Sequence, residues 1–199
     1  MKWRWAIGYP VLIGSFLVLS SLSEFATAQS LPTLSIDSQS AGTMTPEGQL
    51  SLGLQYIQQG QVDQAIAAFR QSVTLNPRFA PAYYNLGLAL RQKGQLQESA
   101  TSFYQAIQAE PNLAMAYANL GAALLEGNNL RQAGQYLQRA IELDPSLGLA
   151  HYNLGLVQRQ QGNAQAAATY FQKAAQLSPN APEPSYYLGL GYMQQGRTQ

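Results

Sequence analysis

Between Ala80 and Leu113 apolar and small residues recur at helical rather than strand spacing. Tyr83, Leu86, Gly87 and Leu90 share one face of a first segment. A break follows at Gly94, and Leu96, Ser99, Phe103, Ala106 and Ile107 share one face of a second segment closed by Pro111. The spacing predicts two amphipathic helices joined by a tight turn, each about three to four turns long. Neither helix can bury its apolar face alone, so the pair needs neighbours.

The neighbours are copies of the same unit. A shift of thirty-four residues superposes Leu52, Leu86, Leu120, Leu154 and Leu188, and beside them Gly53, Gly87, Gly121, Gly155 and Gly189, without an insertion. Pro77, Pro111, Pro145 and Pro179 keep the same interval. A fixed period of this length, with a helix-turn-helix in each copy, predicts an all-α solenoid of stacked repeats. The units run over 46–79, 80–113, 114–147 and 148–181, and 182–199 supplies the first helix of a fifth.

Counting places from the start of each unit gives every row a task. Place four holds Gln49, Tyr83, Tyr117, His151 and Ser185, and place eleven holds Tyr56, Leu90, Leu124, Gln158 and Tyr192. Place twenty-four holds Phe69, Phe103, Leu137 and Phe171. These large residues fill the space between helices. Glycine inside a helix costs about 1 kcal/mol relative to alanine, so its recurrence at place eight requires close packing. The expected partners are the small residues at place twenty, Ala65, Ser99, Ala133 and Ala167. Gly60, Gly94, Asn128 and Gly162 mark the turns, all residues that tolerate a left-handed backbone. Gln158 substitutes a polar residue at an interior apolar place and predicts a wetter contact between the last units.

Residues 1–28 read as a secretory signal peptide. Lys2 and Arg4 form a basic start, Ala6 to Leu19 is nearly all apolar, and Ala26-Thr27-Ala28 offers small residues to a signal peptidase. The apolar run is interrupted by Pro10 and is short beside the roughly 20 residues that span a bilayer. The expectation is export through the general secretory path to the periplasm or the exterior, with no membrane span once the leader is removed. Residues 29–45, rich in Ser and Thr, with a Pro and a Gly and no helical period, read as a flexible linker.

Charge narrows the partners. Charged residues make up 11% of the chain. Setting aside Lys2, Arg4 and Glu24 leaves nine basic and nine acidic residues after position 28. So neutral a chain has no electrostatic reach for a phosphate backbone, and nucleic acid is not an expected partner. The chain has no cysteine, which excludes disulfides, thiolate nucleophiles and zinc-thiolate sites.

The pattern Tyr-x-x-Leu-Gly-x-x-Leu, followed by Ala or Ser, then Phe or Leu, then Pro, resembles the tetratricopeptide repeat family over residues 46–199. The resemblance implies a right-handed superhelix whose concave face is lined by the first helices and binds peptides or proteins. Places two, five, six, nine, twelve and thirteen are then expected to face the groove.

Place six holds Asn85, Asn119 and Asn153 in successive units. An amide both donates and accepts, so a ladder of amides can pair with the backbone of an extended peptide whatever its sequence. Asparagine is also a poor mid-helix residue, which makes three in register notable. Place twelve holds Arg91 and Arg159, guanidinium groups able to hold a carboxylate. Tyr84, Tyr152 and Tyr186 at place five add aromatic surface. The lysines of the family's carboxylate clamp are missing from their usual places.

No nucleophile paired with a base, phosphate loop or metal-ligand cluster is legible, so no cofactor and no enzymatic activity are expected. His151, the lone histidine, sits in a row that neighbouring units fill with tyrosine, which favours packing. The leading expectation is a non-catalytic scaffold for peptide segments of client proteins. The alternatives are a structural module that self-assembles through the helix over 182–199, where Leu188, Gly189 and Tyr192 await a second helix, and the recognition part of a larger enzyme.

Overall fold

A computed structural model describes residues 45–194 of the 199-residue chain. The leader expected over 1–28 lies outside the described residues, as does all but Thr45 of the expected linker. Nine α-helices and no strand are present among the described residues. They are α1 (Pro46–Gln58), α2 (Val62–Leu75), α3 (Ala80–Gln92), α4 (Leu96–Ala109), α5 (Ala114–Glu126), α6 (Leu130–Leu143), α7 (Gly148–Gln160), α8 (Ala164–Leu177) and α9 (Pro182–Gln194). Odd-numbered helices are the first helices of the repeats and even-numbered ones the second. The all-α solenoid expected from the period is the fold.

The turns between paired helices follow from backbone chemistry. Gly60, Gly94 and Gly162 take φ of +73°, +73° and +82°, and Asn128 takes +60°. The left-handed residue lets the next amide reach back to close the helix, as in Gln95 N to Leu90 O at 2.9 Å and Asn129 N to Leu124 O at 2.7 Å. That pattern satisfies carbonyls that the helix end would otherwise leave open. At the entry of α1, Thr45 Oγ1 accepts from Gly48 N at 3.0 Å, and Pro46 needs no amide partner in the first turn.

The core runs along the array. Phe69, Phe103, Leu137 and Phe171 are all at most 2% exposed, and each lies across the glycine of its own repeat's first helix. A Cβ on Gly87 or Gly155 would sit 2.7 Å from a ring carbon of Phe103 or Phe171, and on Gly121 2.5 Å from Leu137 Cγ. Place eight therefore packs chiefly on place twenty-four, where the sequence had suggested place twenty. The missing Cβ opens a slot that a flat ring fills. Place twenty contributes at closest backbone approach: Ser99 Oγ donates to Gly87 O at 2.8 Å, and Ala133 O lies 3.2 Å from a Cβ on Gly121.

Apolar packing carries the seams. The ion pairs Arg70–Glu98 and Lys93–Asp63 bridge successive repeats at 2.6 and 3.0 Å, but their side chains are 42–76% exposed. Pairs so open to water contribute at most about 1 kcal/mol. Gln158 bonds within its own repeat: its Oε1 accepts from Asn163 Nδ2 at 3.0 Å near the exposed α7–α8 turn.

Successive first helices also touch one another, α1 with α3, α3 with α5 and α5 with α7. Among the described residues no two second helices pack to that extent. The first helices α1, α3, α5 and α7 thus form a continuous inner layer, which α9 joins through side chains, and place-five, place-six and place-twelve side chains meet across the α3/α5 and α7/α9 seams.

Candidate functional site

The α3/α5 seam holds a closed polar network. Asn119, only 2% exposed, donates from Nδ2 to Met115 O at 2.9 Å and to the Tyr84 hydroxyl at 3.2 Å. Its Oδ1 accepts from Arg91 Nη1 at 2.9 Å, and Arg91 Nε pairs with Glu126 Oε1 at 3.1 Å. Tyr84 is buried, its ring tilted against Phe103 with centroids 5.8 Å apart. Every polar atom of the Asn119 amide group is engaged, and the Arg91 charge is met by a carboxylate.

Burial pushes the Tyr84 hydroxyl up to about 12, against the opposing pull of the Arg91 cation and the Asn119 hydrogen bond. The raised value means that the folded chain holds this proton more tightly than the unfolded chain. The associated stability is complete below the unfolded value near pH 10 and is lost as pH rises through about 12. Denaturant titrations across this range are expected to show a fall of about 2 to 3 kcal/mol from this residue, which Tyr84→Phe removes. An equal alkaline fall in the variant would contradict the assignment.

Asn85 and Asn153 differ from Asn119. Each donates Nδ2 to the carbonyl four residues back, Asn85 to Pro81 at 2.8 Å and Asn153 to Leu149 at 3.0 Å. Among the described residues no donor reaches either Oδ1. Asn85 is half-buried and Asn153 is 7% exposed. The amides expected to form a uniform ladder therefore divide into two with spare hydrogen-bonding capacity and one that is built into a seam.

The α7/α9 seam repeats the register with different chemistry. Arg159 is exposed, and its guanidinium carbon stands 4.5 Å above the Tyr187 ring. Tyr187 occupies place six, where the three preceding units carry asparagine. Tyr152 packs against both Phe171 and Tyr187 with centroids 6.0 Å apart, Phe171 and Tyr187 stack at 5.3 Å, and Tyr186 meets Tyr187 edge-on at 5.3 Å. Burial raises the Tyr152 hydroxyl, with Tyr187 and Glu183 adding to the effect and Arg159 opposing it. Tyr186 is 63% exposed.

Tyr187 and Glu126 were not singled out from sequence. The signal for Tyr187 is the step of twenty-eight residues, one period less six, that carries Arg91 to Asn119 and Arg159 to Tyr187, and for Glu126 it is the step of thirty-five, one period plus one, from Arg91. His151 sits in its packing row, its ring 6.2 Å from that of Tyr170 and its Nε2 3.0 Å from Pro145 O. Its Nδ1 is buried without a hydrogen-bond partner among the described residues. Within the same residues no group of three or more His, Asp or Glu is placed to hold a metal ion, and no helix is long and apolar enough to cross a membrane.

A family model described as tetratricopeptide repeat matches residues 50–114 and 118–182. Among solved structures, the chain is similar to MamA at 26% identity, covering 73% of this chain and 85% of that one, with a TM-score of 0.67. It is similar to PilF of Pseudomonas aeruginosa at 25% identity, covering 76% and 69%, with a TM-score of 0.69. YrrB, described as a TPR protein with an unusual peptide-binding site, shares the fold at 22% identity, covering 76% and 78%, with a TM-score of 0.62. No curated protein matches. Proteins built from these repeats generally mediate protein–protein interactions and are typically non-catalytic. With two matched spans that cover most of the helical array, this chain belongs to the tetratricopeptide repeat family.

Proposed function

We propose that the chain is an exported, non-catalytic scaffold that holds extended peptide segments of client proteins on the inner layer of first helices. The observation that carries this reading is the spare hydrogen-bonding capacity of Asn85 and Asn153, two amides in the same row of that layer whose Oδ1 meets no donor among the described residues. An extended strand exposes amides and carbonyls at regular intervals, and side-chain amides answer both. The exposed Arg159 and Tyr186 supply contacts to the peptide's side chains. The peptide-binding site attributed to YrrB is a parallel at the level of the fold. Export rests on the leader-like composition of residues 1–28.

The test is selection of a random decapeptide library on the full chain, followed by affinity measurement of the selected peptides. The double variant Asn85→Ala/Asn153→Ala is expected to weaken binding roughly thirtyfold, two net hydrogen bonds being worth about 1 kcal/mol each. Asn119 stays in place, because its removal would strand Tyr84 and Arg91 and confuse binding with folding. Selected peptides whose affinity ignores the double substitution, or a library that yields none, would refute the reading.

A further inference from the structure

The α3/α5 and α7/α9 seams place an arginine, a tyrosine and a place-six residue in the same register, yet only one arginine is spent. Arg91 has a side chain 16% exposed, a carboxylate at 3.1 Å and an amide oxygen at 2.9 Å. Its hydrogen-bonding edge is turned into the protein. Arg159 is exposed, and among the described residues no carboxylate pairs with it. The position equivalent to Glu126 in the next repeat is Gln194, which carries no charge. In place of Asn119 stands Tyr187, which meets the guanidinium with its ring face at 4.5 Å.

A guanidinium held over a ring face is anchored by the ring, which accepts none of its in-plane N–H groups as a carboxylate would, and these stay available. That is the arrangement for receiving a carboxylate with two parallel hydrogen bonds. Tyr152 and Phe171 back the Tyr187 ring and hold it in place. Tyr186, edge-on to Tyr187 and mostly exposed, offers an apolar surface beside the cation. Glu183, whose charge acts on the Tyr152 hydroxyl, disfavours a second anion on that side.

We propose that the α7/α9 seam is the anion-reading subsite of the groove: Arg159, seated on Tyr187, takes an Asp or Glu side chain of an extended peptide whose neighbouring apolar residue lies on Tyr186. The proposal rests on the peptide-binding reading above and adds to it a chemical preference and a location. The α3/α5 seam, with its charge already met, reads no anion.

The probe is the same random decapeptide library, displayed with its C-termini fused to the carrier so that only side-chain carboxylates are available. The selected pool is expected to be enriched in Asp and Glu, and selection on Arg159→Gln is expected to lose that enrichment while still yielding peptides. For synthetic copies of the selected peptides, Arg159→Gln should weaken binding about tenfold and Glu183→Gln should strengthen it, with affinity falling as salt rises. Arg131→Gln, an exposed change on α6, is the control for net charge. Selected peptides with no acidic enrichment would overturn this inference and leave the groove reading intact. So would a synthetic copy that prefers a free C-terminus over an amide. A library that yields no peptide at all would overturn both.

Discussion

Phe103→Ala is expected to lower the stability of the helical array by about 3–5 kcal/mol, the range for truncating a fully buried aromatic ring. Phe103 has no exposed surface, packs against Tyr84 and lies across the bare backbone of Gly87. Helix α3 contributes to the seam with α5 through Tyr84 and Arg91, so the cavity weakens a seam as well as a repeat. Loss of a central unit in a stacked array also deprives its neighbours of the surface they pack against. Urea unfolding followed by far-ultraviolet circular dichroism provides the measurement, and a drop under about 1 kcal/mol would show that the neighbouring helices close the void. An expected companion is a broader transition, as the units on either side of the damage begin to unfold separately.

Gly87→Ala is the second large effect, and its sign is instructive. Helix propensity alone favours alanine by about 1 kcal/mol. Against that gain, the new methyl would lie 2.7 Å from a ring carbon of Phe103, with two more ring atoms within 2.9 Å. Overpacking of this kind costs typically about 1–3 kcal/mol, and Phe103 has no open side toward which to move. The expected outcome is net destabilisation at an interior position where a propensity table promises the reverse. Combined with Phe103→Ala, however, the methyl enters vacated space. The double variant should then be less damaged than the sum of the singles by about 1 kcal/mol or more. Strict additivity in the four-member cycle would mean that the glycine is there for another reason.

The fold was legible from residues whose roles are local or periodic. The left-handed turns had to fall at Gly60, Gly94, Asn128 and Gly162 because few residues tolerate that backbone, and all four are where the helices reverse. The rows at places eight and twenty-four announced the core through size alone, although periodicity could not tell which small or large residue a given glycine would face. The candidate site was legible as a set of residue types and much less so as chemistry. Asn85, Asn119 and Asn153 are interchangeable in the sequence pattern. What separates Asn119 is the pair of side chains thirty-five and twenty-eight residues earlier that use up its amide. Arg91 and Arg159 are likewise equivalent by position and opposite in state, because one seam provides a carboxylate and the other an aromatic face. Hydrogen-bond satisfaction depends on the neighbouring repeat, and a reading that compares each place down the rows does not look diagonally across them.

The diagonal bonding at the α3/α5 seam limits how such a gene can shrink by losing whole modules. Excising 114–147 would bring Tyr84 and Arg91 up to Asn153, another amide able to answer them. Excising 80–113 instead would set Leu50 and Ile57 against Asn119, stranding a buried amide on an apolar neighbour at a cost of about 1–3 kcal/mol. Blocks of identical length and near-identical outline are thus not equally dispensable: the order in which they follow one another is itself under physical constraint.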